Sequence, residues 1–280
     1  MLYSGVKKDA LKIHKKAVDK YNLLLEKMNK GCESLYEKRR SSVSLISNIE
    51  ALINAIANSP KEFEASLLRI QAERTNFRKT ETYAKEAYQS AVKSGASFAA
   101  GVAGGAAFAS MAPTAAMWVA TTFGTASTGT AISTLSGAAA SKAALAWLGG
   151  GALNVGGAGV AGGKALLALA GPIGWGISGA SIVASAAFLG NKNKKISTEA
   201  IKEAKKITIA GAELNESNAK ITHLLDETNL LLKNLKNAYQ QCKQFENVNY
   251  TTLTSNEQLQ LGALVNNTLS LAQLLNKTIQ

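Results

Sequence analysis

The feature that most constrains this chain is a run of 98 positions, 94–191, in which the only charged residues are Lys142 and Lys164 and there is no histidine. The run holds 20 of the 24 glycines, whereas all 19 acidic residues lie outside it, 11 before and 8 after. The exterior of a small water-exposed domain is roughly a quarter to a third charged, so a run of this kind has to be sheltered by protein or by lipid. The sequence therefore reads as three segments: 1–93, 94–191 and 192–280.

A bilayer core about 30 Å thick takes about 20 apolar residues per helical crossing. The uncharged stretches of 48, 21 and 27 residues around Lys142 and Lys164 supply two to four such crossings. Alanine and glycine are weakly hydrophobic, so the composition predicts marginal insertion, unlike that of a constitutive Leu/Ile-rich anchor. The expected membrane-inserting side chains are Phe98, Phe108, Met111, Met117 and Trp118 in 96–123, then Leu145, Trp147 and Leu148. A second strong stretch, 165–189, adds Leu166, Leu167, Ile173, Trp175, Ile177, Ile182, Val183 and Phe188. Pro113 and Gly171-Pro172 are expected kinks. The Thr/Ser/Gly run 121–136 and the glycine cluster 149–163, with Asn154 at a turn, read as hairpin tips or close-packing surfaces. Gly101 with Gly105, and Gly159 with Gly163, have the four-residue spacing that lets helix backbones approach closely. Lys93 opens the segment and Lys192, Lys194 and Lys195 close it. If these basic residues stay at one membrane surface the number of passes is even, and a hairpin is the minimal solution.

The flanks carry the three/four spacing of amphipathic helices. One stripe runs Leu11, His14, Val18, Tyr21, Leu25, Met28, Cys32, Leu35 and resumes at Ile46, Ile49, Ile53 and Ile56; Arg39 and Ser42 interrupt it, which predicts a stutter there. Ser59-Pro60-Lys61-Glu62 reads as a helix start, with Ser59 as cap and Pro60 in the first helical position. The second stripe is Phe63, Leu67, Ile70, Phe77, Ala84, Tyr88 and Ala91, continuing into the uncharged segment. A third, Ile207, Gly211, Leu214, Asn218, Ile221, Leu225, Thr228, Leu232, Leu235, Tyr239 and Cys242, precedes a turn over 247–254. Ser255 is then the expected cap of a last helix with Leu261, Val265, Leu269, Leu271, Leu275 and Ile279. Helices of about 40 to 50 residues would be about 60 to 75 Å long. The expected fold is all-α: an elongated bundle of long antiparallel helices with a Gly/Ala-rich hydrophobic helical hairpin as its head.

Several functions are set aside by the same residues. Cys32 and Cys242 stand 210 positions apart with no CxxC, which supports neither a disulfide scaffold nor a cysteine zinc site. His14 and His223 form no local acid/base or metal motif, so no catalytic, cofactor or metal site is expected, and the chain reads as a non-enzyme. Gly157, Gly159 and Gly162 spell a dinucleotide fingerprint, but no strand-like run precedes them and the next acid is Glu199. Gly163-Lys164 resembles the end of a phosphate loop, yet Ala158 and Ala165 stand where its glycine and hydroxyl belong. Residues 1–20 carry six lysines and no apolar run of seven, so cytoplasmic synthesis without a signal peptide, and export by another route, are expected.

The net charge of +12 raises nucleic acid as a partner, with Lys8, Lys12, Lys15, Lys16 and Lys20 on one helical face and a Lys38-Arg39-Arg40 cluster beyond them. No aromatic-basic motif accompanies these residues, and nucleic acid would leave 94–191 unexplained. An anionic lipid surface explains both features. The expected partners are a lipid membrane and a second copy or a related helical protein.

Long amphipathic helices flanking a Gly/Ala-rich hydrophobic segment, 96–189, make the chain similar in architecture to the α-helical pore-forming toxins of the cytolysin A and haemolysin BL type. The resemblance spans the whole chain and carries no motif, so it transfers no residue roles. It implies membrane permeabilisation after oligomerisation. The stretch 121–176 also resembles a glycine-rich hydrophobic module of bacterial proteins, which implies a bacterial source. The alternative expectation is a non-lytic interaction protein: a helical-bundle scaffold or translocator whose middle segment is a buried core or a permanent anchor.

Overall fold

The computed structural model describes residues 4–93, 113–124, 130–135, 139–140, 143–144 and 192–278. The described chain is all-α: α1 (Ser4–Asn54), α2 (Lys61–Lys93), α3 (Pro113–Phe123), α4 (Lys192–Cys242) and α5 (Ser255–Leu274), with short 3-10 turns at Ile132–Thr134, Lys243–Phe245 and Tyr250–Thr252. Among these residues no strand forms, and an isolated bridge pairs Ala57 with Asn249. The chain divides into two compact units, Met1–Glu33 with Tyr83–Lys220 (unit 1) and Ser34–Thr82 with Ile221–Gln280 (unit 2).

In unit 2 the sequence stripes become the interior. Ile46, Ile49, Ile53, Ile70, Phe77, Leu235, Leu261 and Leu271 are buried. Fully burying an aliphatic or aromatic side chain stabilises by about 1.5 to 3 kcal/mol each. The contacts fix the sense of the helices. Tyr36 donates to Glu81 over 2.6 Å, whereas Ser47, further along α1, meets Arg74, earlier in α2, so these segments run oppositely. At the end where both linkers lie, Ala57 N–H donates to Val248 at 3.1 Å and Tyr250 N–H donates to Ala57 at 2.8 Å. The Phe63 and Tyr250 rings meet edge to face with centroids 5.7 Å apart. Asn58 and Asn247 take the left-handed conformation, φ 54° and 63°, which asparagine tolerates better than most residues.

Arg39 and Ser42 do not mark a stutter. Both are fully buried, and 35, 39, 42, 46 keeps the three/four rhythm through the continuous helix α1. The seam is therefore polar but in phase. Arg39 Nη2 donates to the Lys277 carbonyl at 2.6 Å, beyond the end of α5, and Ser42 Oγ donates to Lys38 O at 2.8 Å. Close by in sequence, the buried carboxylate of Glu50 pairs with Arg74. Burial pushes the Glu50 carboxyl upward, opposed by Arg74 and Arg78. Asn276 Nδ2 donates to the Glu73 carbonyl at 2.9 Å. The hydroxyls of Thr228 and Thr268 donate to Leu224 O and Leu264 O, 2.7 Å each, which satisfies them inside the interior.

The cap of α5 also differs from expectation by one residue. Thr254, not Ser255, is the cap, because Glu257 stands three positions beyond it and closes a capping box. The Glu257 carboxylate accepts from Thr254 N–H at 2.8 Å, and these bonds hold its pKa below the ordinary value. Similarly α2 begins at Lys61, with the Pro60 carbonyl accepting from Phe63 N–H at 2.9 Å, one residue later than the sequence predicted.

In unit 1, α1 and α4 run in the same sense. His14 feels the carboxylate of Glu203, Tyr21 and Leu24 lie against Gly211, and Asn218 Nδ2 donates to Leu24 O at 2.9 Å, so partner numbers climb together along both helices. A Cβ at Gly211 would come 3.7 Å from Leu24 Cδ1, an ordinary contact. Along α1 and α4 small buried residues, Ala10, Ala200, Ala204 and Gly211, stand among larger ones, Val18, Tyr21, Met28, Ile207 and Leu214.

Candidate functional site

The uncharged segment is where the sequence places function, and α3 is its longest described element. Pro113 is the first described residue of α3; the residues before it, and so the kink expected there, lie outside the described residues. Ala115 and the five consecutive residues Met117, Trp118, Val119, Ala120 and Thr121 are buried. Five buried neighbours in succession cover more than one full turn, so α3 has protein around it on every side. The Trp118 and Phe123 rings meet edge to face at 5.6 Å. Thr121 Oγ1 donates to Met117 O and Trp118 O at 3.0 Å each, satisfying its hydroxyl within the helix. The chain then returns: Gly124 N–H donates to Ala120 O and Ile132 N–H to Gly124 O, both at 2.9 Å.

Of the expected membrane-inserting side chains, Met117 and Trp118 are described, and both are buried. Phe98, Phe108, Met111, Leu145, Trp147, Leu148, Leu166, Leu167, Ile173, Trp175, Ile177, Ile182, Val183 and Phe188 lie outside the described residues, as do Gly101, Gly105, Gly159 and Gly163. At 1.5 Å per residue α3 is about 16 Å long, half a bilayer core. Among the described residues no helix is long and apolar enough to cross a membrane. In the Thr/Ser run, Thr121 is buried, whereas Thr130, Ser133 and Thr134 are exposed.

Lys93 and Lys192 are the described residues next to the uncharged segment, in α2 and α4. Lys194 and Lys195, on the first turn of α4, are exposed.

Two features were not read from sequence. One is Glu203, which interacts electrostatically with the buried imidazole of His14 and accepts from Lys206 at 3.0 Å. Burial lowers the His14 pKa from its ordinary value of 6.5, and the Glu203 charge opposes that. The signal was present, since His14 and Ile207 occupy stripe positions and Glu203 precedes Ile207 by one turn. The other is a set of exposed aliphatic residues, Val6, Ile13, Ile201 and Ile209, off the buried stripes. Among the described residues no three His, Cys, Asp or Glu side chains gather where a metal ion could sit. Cys32 and Cys242 are buried thiols, and burial pushes the Cys242 thiol upward.

No protein-family model, curated protein or solved structure matches this chain.

Proposed function

We propose that the protein is a membrane-inserting, pore-forming helical protein that permeabilises a target membrane after oligomerising. The observation that carries the reading is the run 94–191, with two charges in 98 positions between flanks that hold every acidic residue. In this account the flanks form an elongated bundle of long antiparallel helices, and the Gly/Ala-rich segment is its hydrophobic hairpin head. Before contact the head is sheltered by protein, because several hundred Å² of exposed apolar surface promotes association. The burial of Met117 and Trp118 fits a sheltered state. On a membrane the segment moves into lipid as helices, which satisfy their own backbone groups, and copies associate through small-residue faces such as those of Gly101 and Gly105.

The test is release of a trapped dye from liposomes by the full chain. Leakage that rises steeply with protein concentration is expected; tight binding to vesicles that stay sealed would overturn the pore. A second reading, a non-lytic scaffold whose middle segment is a permanent core, draws on α3, which is covered on all sides as core helices are. That reading expects neither leakage nor insertion.

A further inference from the structure

We propose that the outer stripe of α1 over 41–55 docks on the outer stripe of α5 over 259–273 of a second copy, so that copies join head to tail through unit 2. The contact deepens the membrane reading by naming a surface through which copies associate, and rests on that reading only for what the assembly does to a membrane.

Charge is missing from both faces. From 41 to 58 the one charged residue is Glu50, buried against Arg74, and from 258 to 276 there is none. α1 turns Ser41, Ser44, Asn48 and Ala51 outward, and Ala55, whose N–H donates to Ala51 O at 3.1 Å, continues the row half-buried. α5 turns out Leu259, Ala263, Asn266, Ser270 and Gln273. At 100° per residue the first row lies opposite the buried Ile46, Ile49 and Ile53, and the second opposite the buried Leu261, Thr268 and Ala272. Water-exposed surface is normally a quarter to a third charged, whereas the centres of protein interfaces are depleted of charge. Ser41 and Ser270 donate back to Glu37 O at 2.9 Å and Asn266 O at 3.1 Å, so covering these hydroxyls leaves no donor unsatisfied.

The two rows also fit each other. Each is about 21 Å long, and the three/four steps of one, read forwards, are those of the other read backwards. Antiparallel packing sets Ser41 against Gln273, Ser44 against Ser270, Asn48 against Asn266, Ala51 against Ala263, and Ala55 against Leu259, which is 72% exposed. Carboxamides both donate and accept, so the two asparagines can pair. One turn further the same register brings Glu37 opposite Lys277. Of the other charges at that end, Arg40 lies 3.8 Å from Glu81, Glu227 lies 3.1 Å from Lys277, and Lys38 stands beside Glu37. Pairing like with like fits less well: α5 on α5 sets Leu259 against Gln273, α1 on α1 sets small residues against small ones, and neither brings Glu37 to Lys277. The level matches too. Within one copy Arg39 reaches the Lys277 carbonyl and Tyr250 N–H donates to Ala57 O, so α1 and α5 run oppositely, with Ser41 level with the end of α5 and Ala55 with its start. A neighbour in the same orientation therefore comes into register without sliding along the helix axis, and head-to-tail contacts without axial rise close into rings instead of growing as filaments. One helix pair covers less than the roughly 800 Å² per partner of a standard interface, so each contact is weak and ring closure, which gives every copy two, holds the assembly.

The experiment is disulfide cross-linking of the full chain on vesicles of phosphatidylcholine and phosphatidylserine under a mild oxidant, with dye release read on the same samples. The buried Cys32 and Cys242 are changed to Ala, and circular dichroism checks that each variant stays helical. Ser44→Cys protein mixed with Ser270→Cys protein should give a covalent dimer that neither gives alone, and a chain carrying both changes should give a ladder beyond the dimer. A second measurement keeps both native cysteines and follows energy transfer between copies labelled at the N-terminus. Asn48→Lys and Asn266→Glu each bury a lone charge in the contact and should each raise the protein concentration for half-maximal association about ten-fold. Combined in one chain they set opposite charges across the contact, and association should recover to within about three-fold of the unaltered chain.

Dimers formed by Ser270→Cys alone or by Ser44→Cys alone overturn the head-to-tail contact, as does a double charge variant no better than its singles. Dye release without cross-linking in the mixture overturns the contact and leaves the pore standing. The expected cross-linked ladder on vesicles that stay sealed supports the contact and sinks the pore.

Discussion

The buried faces of α1 and α4 in unit 1 hold more small residues than the interior of unit 2. Unit 2 is filled with Ile, Leu and Phe and carries charged side chains inside: Arg39 on the Lys277 carbonyl, and Glu50 on Arg74. The described interior of unit 1 sets Ala10, Ala200, Ala204 and Gly211 where α1 meets α4, joined by the Asn218 amide on the Leu24 carbonyl, with His14 buried in the same interior. A buried alanine removes far less apolar area from water than a buried leucine, so each such contact contributes less. Buried ionic groups cost a great deal when one partner is lost, and so penalise alternative registers. Unit 2 is thus built to hold a single arrangement, while the α1–α4 contact of unit 1 rests on smaller increments, in the unit that contains the uncharged segment.

That contrast can be broken by mutation. The largest expected effect is Phe77→Ala in unit 2, where a fully buried ring leaves a cavity and costs about 3 to 5 kcal/mol in urea unfolding. Arg74→Ala should follow at about 3 kcal/mol, because it strands the Glu50 carboxylate in the interior, and Glu50→Gln in the same background should recover part of the loss. In unit 1, Asn218→Ala should cost about 1 kcal/mol by removing the buried amide's bond to the Leu24 carbonyl, which keeps its own helical donor. If Asn218→Ala costs as much as Phe77→Ala, the two interiors are not of different strength.

The difference between the units sharpens with pH. The His14 pKa lies below 6.5, so its contribution is present above pH 6.5 and is lost as pH falls below that value through the folded-state pKa, because the unfolded chain takes up a proton first. Acidification from about pH 7.5 to about pH 5.5 should lower the unfolding midpoint read by tryptophan emission, since Trp118, Trp147 and Trp175 all fall within unit 1, and His14→Gln should flatten that dependence. The smallest effect belongs to the α5 cap in unit 2. Thr254→Ala should cost about 1 kcal/mol; alanine keeps the backbone N–H that holds Glu257 below the ordinary carboxylate pKa, so only the share owed to the hydroxyl's bond to that carboxylate should fade as pH falls through the carboxylate range.

Spacing made the helices legible. The stripes through Val18, Ile46, Phe77, Leu214 and Leu261 are the buried faces, because a 3.6-residue period needs only local information. What spacing misjudged was polarity: Arg39 and Ser42 looked like a break in phase, but their partners, a carbonyl 238 residues away and one on the preceding turn, keep them inside. The caps slipped by one residue because Ser59 and Ser255 both sit beside residues whose carbonyl or hydroxyl fills the position better. Which helices are neighbours was not legible at all. The basic face of α1 was readable from Lys8, Lys12 and Lys16, but that α1 and α4 are parallel neighbours rests on Asn218 reaching Leu24, a pairing no local pattern encodes. In the uncharged segment, composition identified the region, and the buried run 117–121 shows that this turn of its described helix is covered by protein.

The central claim is that 94–191 exchanges this protein shelter for hydrocarbon, and the chain carries its own probe. All three of its tryptophans lie in that segment, so emission reads it alone. The decisive measurement is quenching of that emission by vesicles whose acyl chains bear bromine near the bilayer centre. Strong quenching in anionic vesicles, at the protein concentrations that release dye, is the predicted result; vesicle-bound protein whose emission bromine leaves untouched would contradict it.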